Sequence, residues 1–235
     1  MSLLTLEHVS KRYRDGQRER IVLEDVSLEL GSGELVVVYG ARRSGRSTLL
    51  RLAAGIVPPD RGRVLFEGAD LTLHAERVLG EGIGYVRTTL IASEEQGVIE
   101  QVAAPLLARG VAVPKARATA RTALERAGAE RCAEATVGEL SVGEAVRVSI
   151  ARALALSPTL LVIDEPAAAV ELSERDGVLT QLRELAGEGT TVLASTSEPS
   201  ELAGARRALT LSEGTLRGPA SPELAPVVAL RRQGV

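Results

Sequence analysis

Residues 35–48, LVVVYGARRSGRST, decide the fold. Leu35, three consecutive valines and Tyr39 form a continuous run rich in β-branched residues, the pattern of a strand buried on both faces. Gly40-Ala41-Arg42-Arg43-Ser44-Gly45-Arg46-Ser47-Thr48 follows and opens a helix expected over residues 47–54. The order strand, glycine-rich loop, helix fits the phosphate-binding pattern G-x-x-x-x-G-[K/R]-[S/T], with Arg46 where lysine is the rule. Consecutive backbone N–H groups in such a loop make a concave nest, and the helix N-terminus adds partial positive charge, so the place favours an anion. Ser47 is positioned to put its hydroxyl on a Mg²⁺ ion accompanying the phosphates. The plainer alternative is a turn with a basic rim. Arg46 keeps lysine's charge but not its shape, since guanidinium is planar and wide where ammonium is a compact point charge. Arg43 is a second oddity, at a position where this kind of loop needs a small residue.

The second informative stretch is residues 160–166, LLVIDEP. Four apolar residues deliver two carboxylates to the C-terminal edge of a strand, where ligands sit in open α/β sheets. Asp164 is placed to hold Mg²⁺ through its water shell, and Glu165 to polarise an attacking water. Outward from these two strands the chain alternates. Residues 3–9 and 21–30 alternate apolar and polar, as half-buried antiparallel strands do, with RYRDGQRER expected as a charged turn between them. Short strands are expected at 63–68, 82–86, 190–196 and 208–211, with a helix near 173–187 and a last short strand after the turn Ser212-Glu213-Gly214. Residues 94–156 are rich in Ala, Arg and Glu with helical spacing, and the tail from Pro219 is expected to wrap the surface. The fold class expected is α/β. It has a phosphate-loop core with a mostly parallel sheet, an N-terminal antiparallel β subdomain and an inserted α-helical subdomain. One domain over 1–235 is expected, with core and β subdomain at about 1–90 and 157–218, helical lobe at 91–156 and tail at 219–235.

Composition narrows the classes further. The 235 residues are 45% hydrophobic and 25% charged, ordinary for a globular chain. A net charge of −3 and 2% aromatics give neither the field nor the stacking surface that nucleic acid needs, so no nucleic-acid partner is expected. A single cysteine, Cys132, forbids an internal disulfide, and without a His or Cys near it in sequence it is expected as a half-buried helix thiol. No stretch approaches the ~20 apolar residues of a membrane span, and the opening MSLLTLEHVSKRYR has no apolar leader core. The expected location is cytoplasmic. His8 and His74 stand far apart and suggest no metal cluster; Gly80, Gly82 and Gly84 read as a turn before a strand. Arg117, Arg121 and Arg126, with Glu125 and Glu130, read as a solvated helix face.

The phosphate loop, the acidic strand and the segment LSVGEAVRVSIARALALSPTLLVIDEP (140–166) together resemble the ATP-binding-cassette ATPases over about residues 3–217, and most of all the lipoprotein-releasing and macrolide-exporter branch. The resemblance implies ATP and Mg²⁺ as cofactors, Tyr13 stacking on adenine, and a dimer with a second cassette chain, identical or different. In that dimer each ATP lies between one chain's phosphate loop and the other's signature. It further implies a separate membrane permease, engaged near residues 88–101, that would hold the chain at the inner face of the membrane.

Departures from the family pattern carry their own expectations. The glutamine that senses the γ-phosphate aligns with Thr88, and the switch histidine with Ser197. The signature is Leu140-Ser141-Val142-Gly143-Glu144, so Val142 stands for a glycine, although Ser141, Val142, Gly143 and Glu144 still face the partner's ATP. Residues 168–171 replace the usual S-A-L-D by AAVE. With Arg46, Thr88 and Ser197 all altered at the γ-phosphate, ATP binding with slow hydrolysis is expected. The competing readings are a weak transporter motor and a non-hydrolysing regulatory partner of a competent ATPase. A DNA-repair or translation member is disfavoured by the length.

Overall fold

In the computed structural model the described residues are 2–16, 18–72, 82–86, 93–202 and 205–218. Two strands open the chain, β1 (Ser2–Asp15) and β2 (Arg18–Gly31), followed by β3 (Leu35–Tyr39) and helix α1 (Arg46–Ala53). Strands β4 (Arg61–Phe66), β5 (Ala69–Asp70) and β6 (Ile83–Val86) precede the helices α2 (Val98–Leu107), α3 (Val113–Arg126) and α4 (Val142–Leu154). The order closes with β7 (Leu160–Ile163), α5 (Leu172–Gly187), β8 (Thr191–Thr196), β9 (Arg207–Ser212) and β10 (Thr215–Arg217).

The strands make two sheets. One is antiparallel, in the order β2-β1-β4-β5. The other, in the order β10-β9-β3-β8-β7-β6, is parallel except for the β9–β10 hairpin. The expected α/β class, antiparallel N-terminal sheet and inserted helices are all present.

The parallel sheet divides two cores, and its pleat sorts the side chains between them. On β3, Leu35 and Val37 face α2–α5, while Val36 and Val38 face α1 and the antiparallel sheet. Leu161 and Ile163 on β7 join the first core, and Leu160 and Val162 the second. A strand covered on both sides needs apolar residues at every position, which is why these segments read as unbroken apolar runs.

The segment expected as a charged turn is instead mostly strand. Arg12, Tyr13 and Arg14 pair with Ile21, Arg20 and Glu19, and only Gly16 of the described residues sits in the bend. Opposite charges across the ladder, Arg14 beside Glu19 and Arg12 3.5 Å from Glu19, let a highly charged hairpin stay paired. Gly84 is inside β6, not in the turn before it. Gly82 lies just before the strand, where an added Cβ would come 2.5 Å from the Phe66 ring.

Helix α3 presents the solvated face expected: Arg117, Arg121, Glu125 and Glu130 are exposed and Arg126 is half-buried. Arg117, Arg121 and Arg126 pair there with Glu100, Glu134 and Glu188 from neighbouring segments. Arg126 additionally donates to Thr190, and Gln181 donates to the Arg126 carbonyl, so the end of α3 is tied to α5 and β8. Cys132 is fully buried in a 3₁₀ turn beside this helix, not half-buried. Burial first, then the Glu144 carboxylate, pushes its thiol up to about 11.

Candidate functional site

The phosphate loop runs from the end of β3 into α1. Gly40 is buried, donates its N–H to the Thr196 carbonyl at 3.1 Å, and has no room for a side chain: a Cβ would lie 2.5 Å from the Leu211 carbonyl oxygen. Gly45 caps α1 at φ 106° and makes no side-chain cap bond, leaving the first-turn N–H groups to face the loop. Arg43 adopts φ 66°, a left-handed conformation that favours glycine, which is the physical reason this position calls for a small residue. Arg20 donates to the Arg43 carbonyl at 3.2 Å and braces the loop from β2.

Arg46 is buried within this loop, and its Nη2 donates to Glu165 Oε1 at 2.5 Å. The sequence placed Arg46 toward phosphate; the structure brings it to the acidic strand end. Its Nη1 is buried with no hydrogen-bond partner, as is the Ser44 hydroxyl. Buried donors left unpaired in a fold are unusual and costly, and here both belong to the glycine-rich stretch running from β3 into α1. Glu165 itself sits at φ 49° just past β7, strained for a residue with a Cβ. Ser195, fully buried on β8, accepts the Glu165 N–H at 3.0 Å and donates to Asp164 Oδ1 at 2.6 Å.

Two adjoining clefts result. One, of about 220 Å³, is lined by Tyr13, Arg20, Val22, Arg43, Ser44, Gly45, Arg46, Ser47 and Thr48. The other, of about 490 Å³, is lined by Arg42, Arg43, Arg46, Ser47 and Glu165. Arg43, Arg46 and Ser47 belong to both, so the clefts form one trough with Tyr13 at one end and Glu165 at the other. Ala41 lies exposed on the same loop. The residues fit a phosphate-bearing ligand: unpaired buried donors, a basic rim and a glycine-lined floor. Ser47 lines both clefts, and Asp164 lies just past β7 beside Glu165; both carry hard oxygen donors of the kind Mg²⁺ takes.

Ser141 caps α4 through a capping box, accepting the Glu144 N–H at 3.2 Å while its own N–H donates to Glu144 at 2.8 Å. That amide bond, the largest lowering influence on the group, holds the Glu144 carboxyl below its usual value. The Ser141 hydroxyl is also directed at Glu174 of α5, 3.2 and 3.4 Å from its two carboxylate oxygens. Gly143 faces the same carboxylate, and a Cβ there would lie 2.6 Å from it. Val142 is exposed beside them.

Ser197 is half-buried just past β8. Thr88, His74, Gly80 and the tail from Pro219 lie outside the described residues. Gln101, expected near a docking surface, is buried in α2 and offers none; Glu94 and Glu95 are exposed nearby. His8 pairs with Asp25 at the surface, and no metal-type cluster of His, Cys, Asp or Glu occurs among the described residues.

The sequence reading missed Ser195, Glu174 and Arg20. Ser195 had one usable signal, a hydroxyl inside a wholly buried strand that must find partners. The other two are read only from tertiary contacts.

With the loop, the acidic strand end and the capped α4 in place, the comparisons decide the family. The profile of the ABC transporter family matches residues 23–168. This chain belongs to the ABC transporter family. It is 34% identical over 226 residues to the lipoprotein-releasing system ATP-binding protein LolD of Shewanella oneidensis, covering 94% of this chain and 98% of that one. It is also 33% identical over 218 residues to the macrolide export ATP-binding/permease protein MacB 1/2 of Paracoccus denitrificans, covering 91% of this chain and 33% of that longer one. Both relatives fall in the branch the motifs resemble. The fold superposes with TM-score 0.83 on the ATP-binding cassette MJ0796, solved as a dimer in a post-hydrolysis state with ADP and Pi. That match has 25% identity and covers 93% of this chain and 98% of the other.

Proposed function

We propose that the chain is the ATP-binding subunit of an ABC transporter, binding MgATP and coupling it to a separate permease, with slow hydrolysis at its own site. The trough from Tyr13 to Glu165, with buried unpaired Arg46 Nη1 and Ser44 Oγ between, is the observation that carries this reading. Adenine stacks on Tyr13, and the phosphates lie along Gly40, Ala41, Arg42, Arg43, Ser44, Gly45, Arg46, Ser47 and Thr48. Ser47 and Asp164 would hold Mg²⁺, which would supply positive charge to neutralise that developing on the phosphates during transfer. Glu165 polarises the attacking water, and Thr88 and Ser197 align with the residues that make the family's γ-phosphate contacts. Ser141, Val142, Gly143 and Glu144 face the ATP of a second cassette chain, like or unlike this one. Residues 1–235 form one cassette, held at the inner face of the membrane by a permease that engages residues near 88–101, where Ser93, Glu94, Glu95 and Glu100 are exposed among the described residues. Similarity to lipoprotein-releasing and macrolide-export proteins over most of this chain supports a permease of that class.

A second reading, a non-hydrolysing partner of a competent ATPase, is favoured by the Ser141–Glu174 contact. A carboxylate already occupies the serine hydroxyl that would donate to a partner's phosphate, and two anions do not share one donor cheaply.

Calorimetry with MgATP tests the nucleotide site. Binding is expected, weakened by about tenfold or more on Ser47→Ala, the loss of one charge-assisted contact. No binding at millimolar MgATP would sink the assignment.

A further inference from the structure

We propose that Arg46 and Glu165 form a latch through which the trough discriminates triphosphates from diphosphates: the terminal phosphate of a triphosphate must take Arg46 from the Glu165 carboxylate, while a diphosphate leaves the pair closed. This rests on the phosphate-site reading above and deepens it.

The order of groups along the trough carries the inference. Tyr13 lines only the first cleft and Glu165 only the second, with Arg43, Arg46 and Ser47 shared between them. A nucleotide with its base at Tyr13 therefore runs its phosphates toward Glu165, and the last phosphate is the one that arrives there. Arg46 is 7% exposed at its side chain and Glu165 33%, so the guanidinium is fixed by its surroundings and the carboxylate is the partner with room to move. The fork is half used. Nη2 holds Glu165 at 2.5 Å, and Nη1 is buried without a partner. A guanidinium binds a phosphate best through two parallel N–H donors, so a phosphate can engage Nη1 first and then compete for Nη2. The displaced carboxylate swings toward the exposed Arg42 and Arg43, which border the same cleft. Lysine, a compact point charge, would not present the two parallel donors that a phosphate takes from a guanidinium.

The test compares affinities for ADP and for the non-hydrolysable triphosphate AMP-PNP, both with Mg²⁺, with light scattering confirming that the chain stays monomeric. Glu165→Gln removes the competing charge at constant shape. It is expected to tighten AMP-PNP binding by about tenfold and to change ADP binding by less than about twofold. In the Arg46→Met background no guanidinium remains to be released, so Glu165→Gln should then have no selective effect; Arg46→Gln serves if the Met variant melts early. Equal gains for both nucleotides, or no gain, overturn the latch while leaving the phosphate site intact. A selective gain that persists without Arg46 also overturns it, showing plain repulsion between Glu165 and the phosphate. Failure of every variant and of the unmodified chain to bind either nucleotide overturns the site reading and the latch together.

Discussion

Arg43 and Glu165 face one cleft, and both hold backbone angles that suit glycine, φ 66° and 49°. Relieving one of them should be measurable. Arg43→Gly is expected to stabilise the fold by about 1 kcal/mol, the ~1–2 kcal/mol left-handed penalty less the entropy glycine loses, as read by urea unfolding. A loss of stability would mean that Arg43 makes contacts worth more than its strain. Ser195 works in the opposite direction. Ser195→Ala leaves the Glu165 N–H and Asp164 Oδ1 without their partner, so it should cost about 1–3 kcal/mol and weaken Mg²⁺-dependent nucleotide binding as well. Cys132 supplies a pH-dependent case. Its thiol is raised from 9.0 to about 11, so the folded state favours the protonated form. The stability it contributes is complete below pH 9 and is lost as pH rises toward 11. At pH 8 the folded chain should react with a thiol reagent far more slowly than the urea-unfolded chain, because the thiolate is the nucleophile; equal rates would contradict the burial.

At the scale of elements, most of the fold was legible because its strands are buried on both faces, as the runs at 35–39 and 160–163 show. The 3.6-residue spacing of residues 94–156 announced helices but not their partners. Arg117, Arg121 and Arg126 found Glu100, Glu134 and Glu188 because those residues come from neighbouring segments, a contact that no local pattern encodes. The charged hairpin was misread for a related reason: charges suggest a turn until cross-strand pairing neutralises them. In the candidate site, the loop and acidic residues were legible from type and spacing, whereas the Arg46–Glu165 pair joins residues 119 apart in sequence. Helix α4 takes its N-terminal cap from Ser141. Ser141→Ala removes its cap and should cost about 1 kcal/mol in thermal or urea unfolding. No loss would mean that Glu144 alone holds the helix end.

For the whole molecule, the trough lies at the C-terminal edges of β3 and β7, where the parallel sheet delivers a basic loop and an acidic strand end to one place. Phosphoryl transfer relies on positioning and charge more than on covalent help from the protein. Under the proposed function, a guanidinium held on Glu165, with Ser197 and Thr88 aligned with the family's other γ-phosphate contacts, would weaken alignment of the reacting phosphate more than nucleotide binding. Removing one such stabilising contact elsewhere costs ~10²–10³ in rate, so even a single full loss would be enough for the slow hydrolysis proposed above. The direct measurement is ATP turnover by this chain in its native dimer, with the partner's own site disabled. Turnover well below ~1 s⁻¹ is expected, rising when Arg46→Lys, Thr88→Gln and Ser197→His are combined. Turnover of the unmodified chain within the ~1–10³ s⁻¹ usual for enzymes would contradict slow hydrolysis at this site.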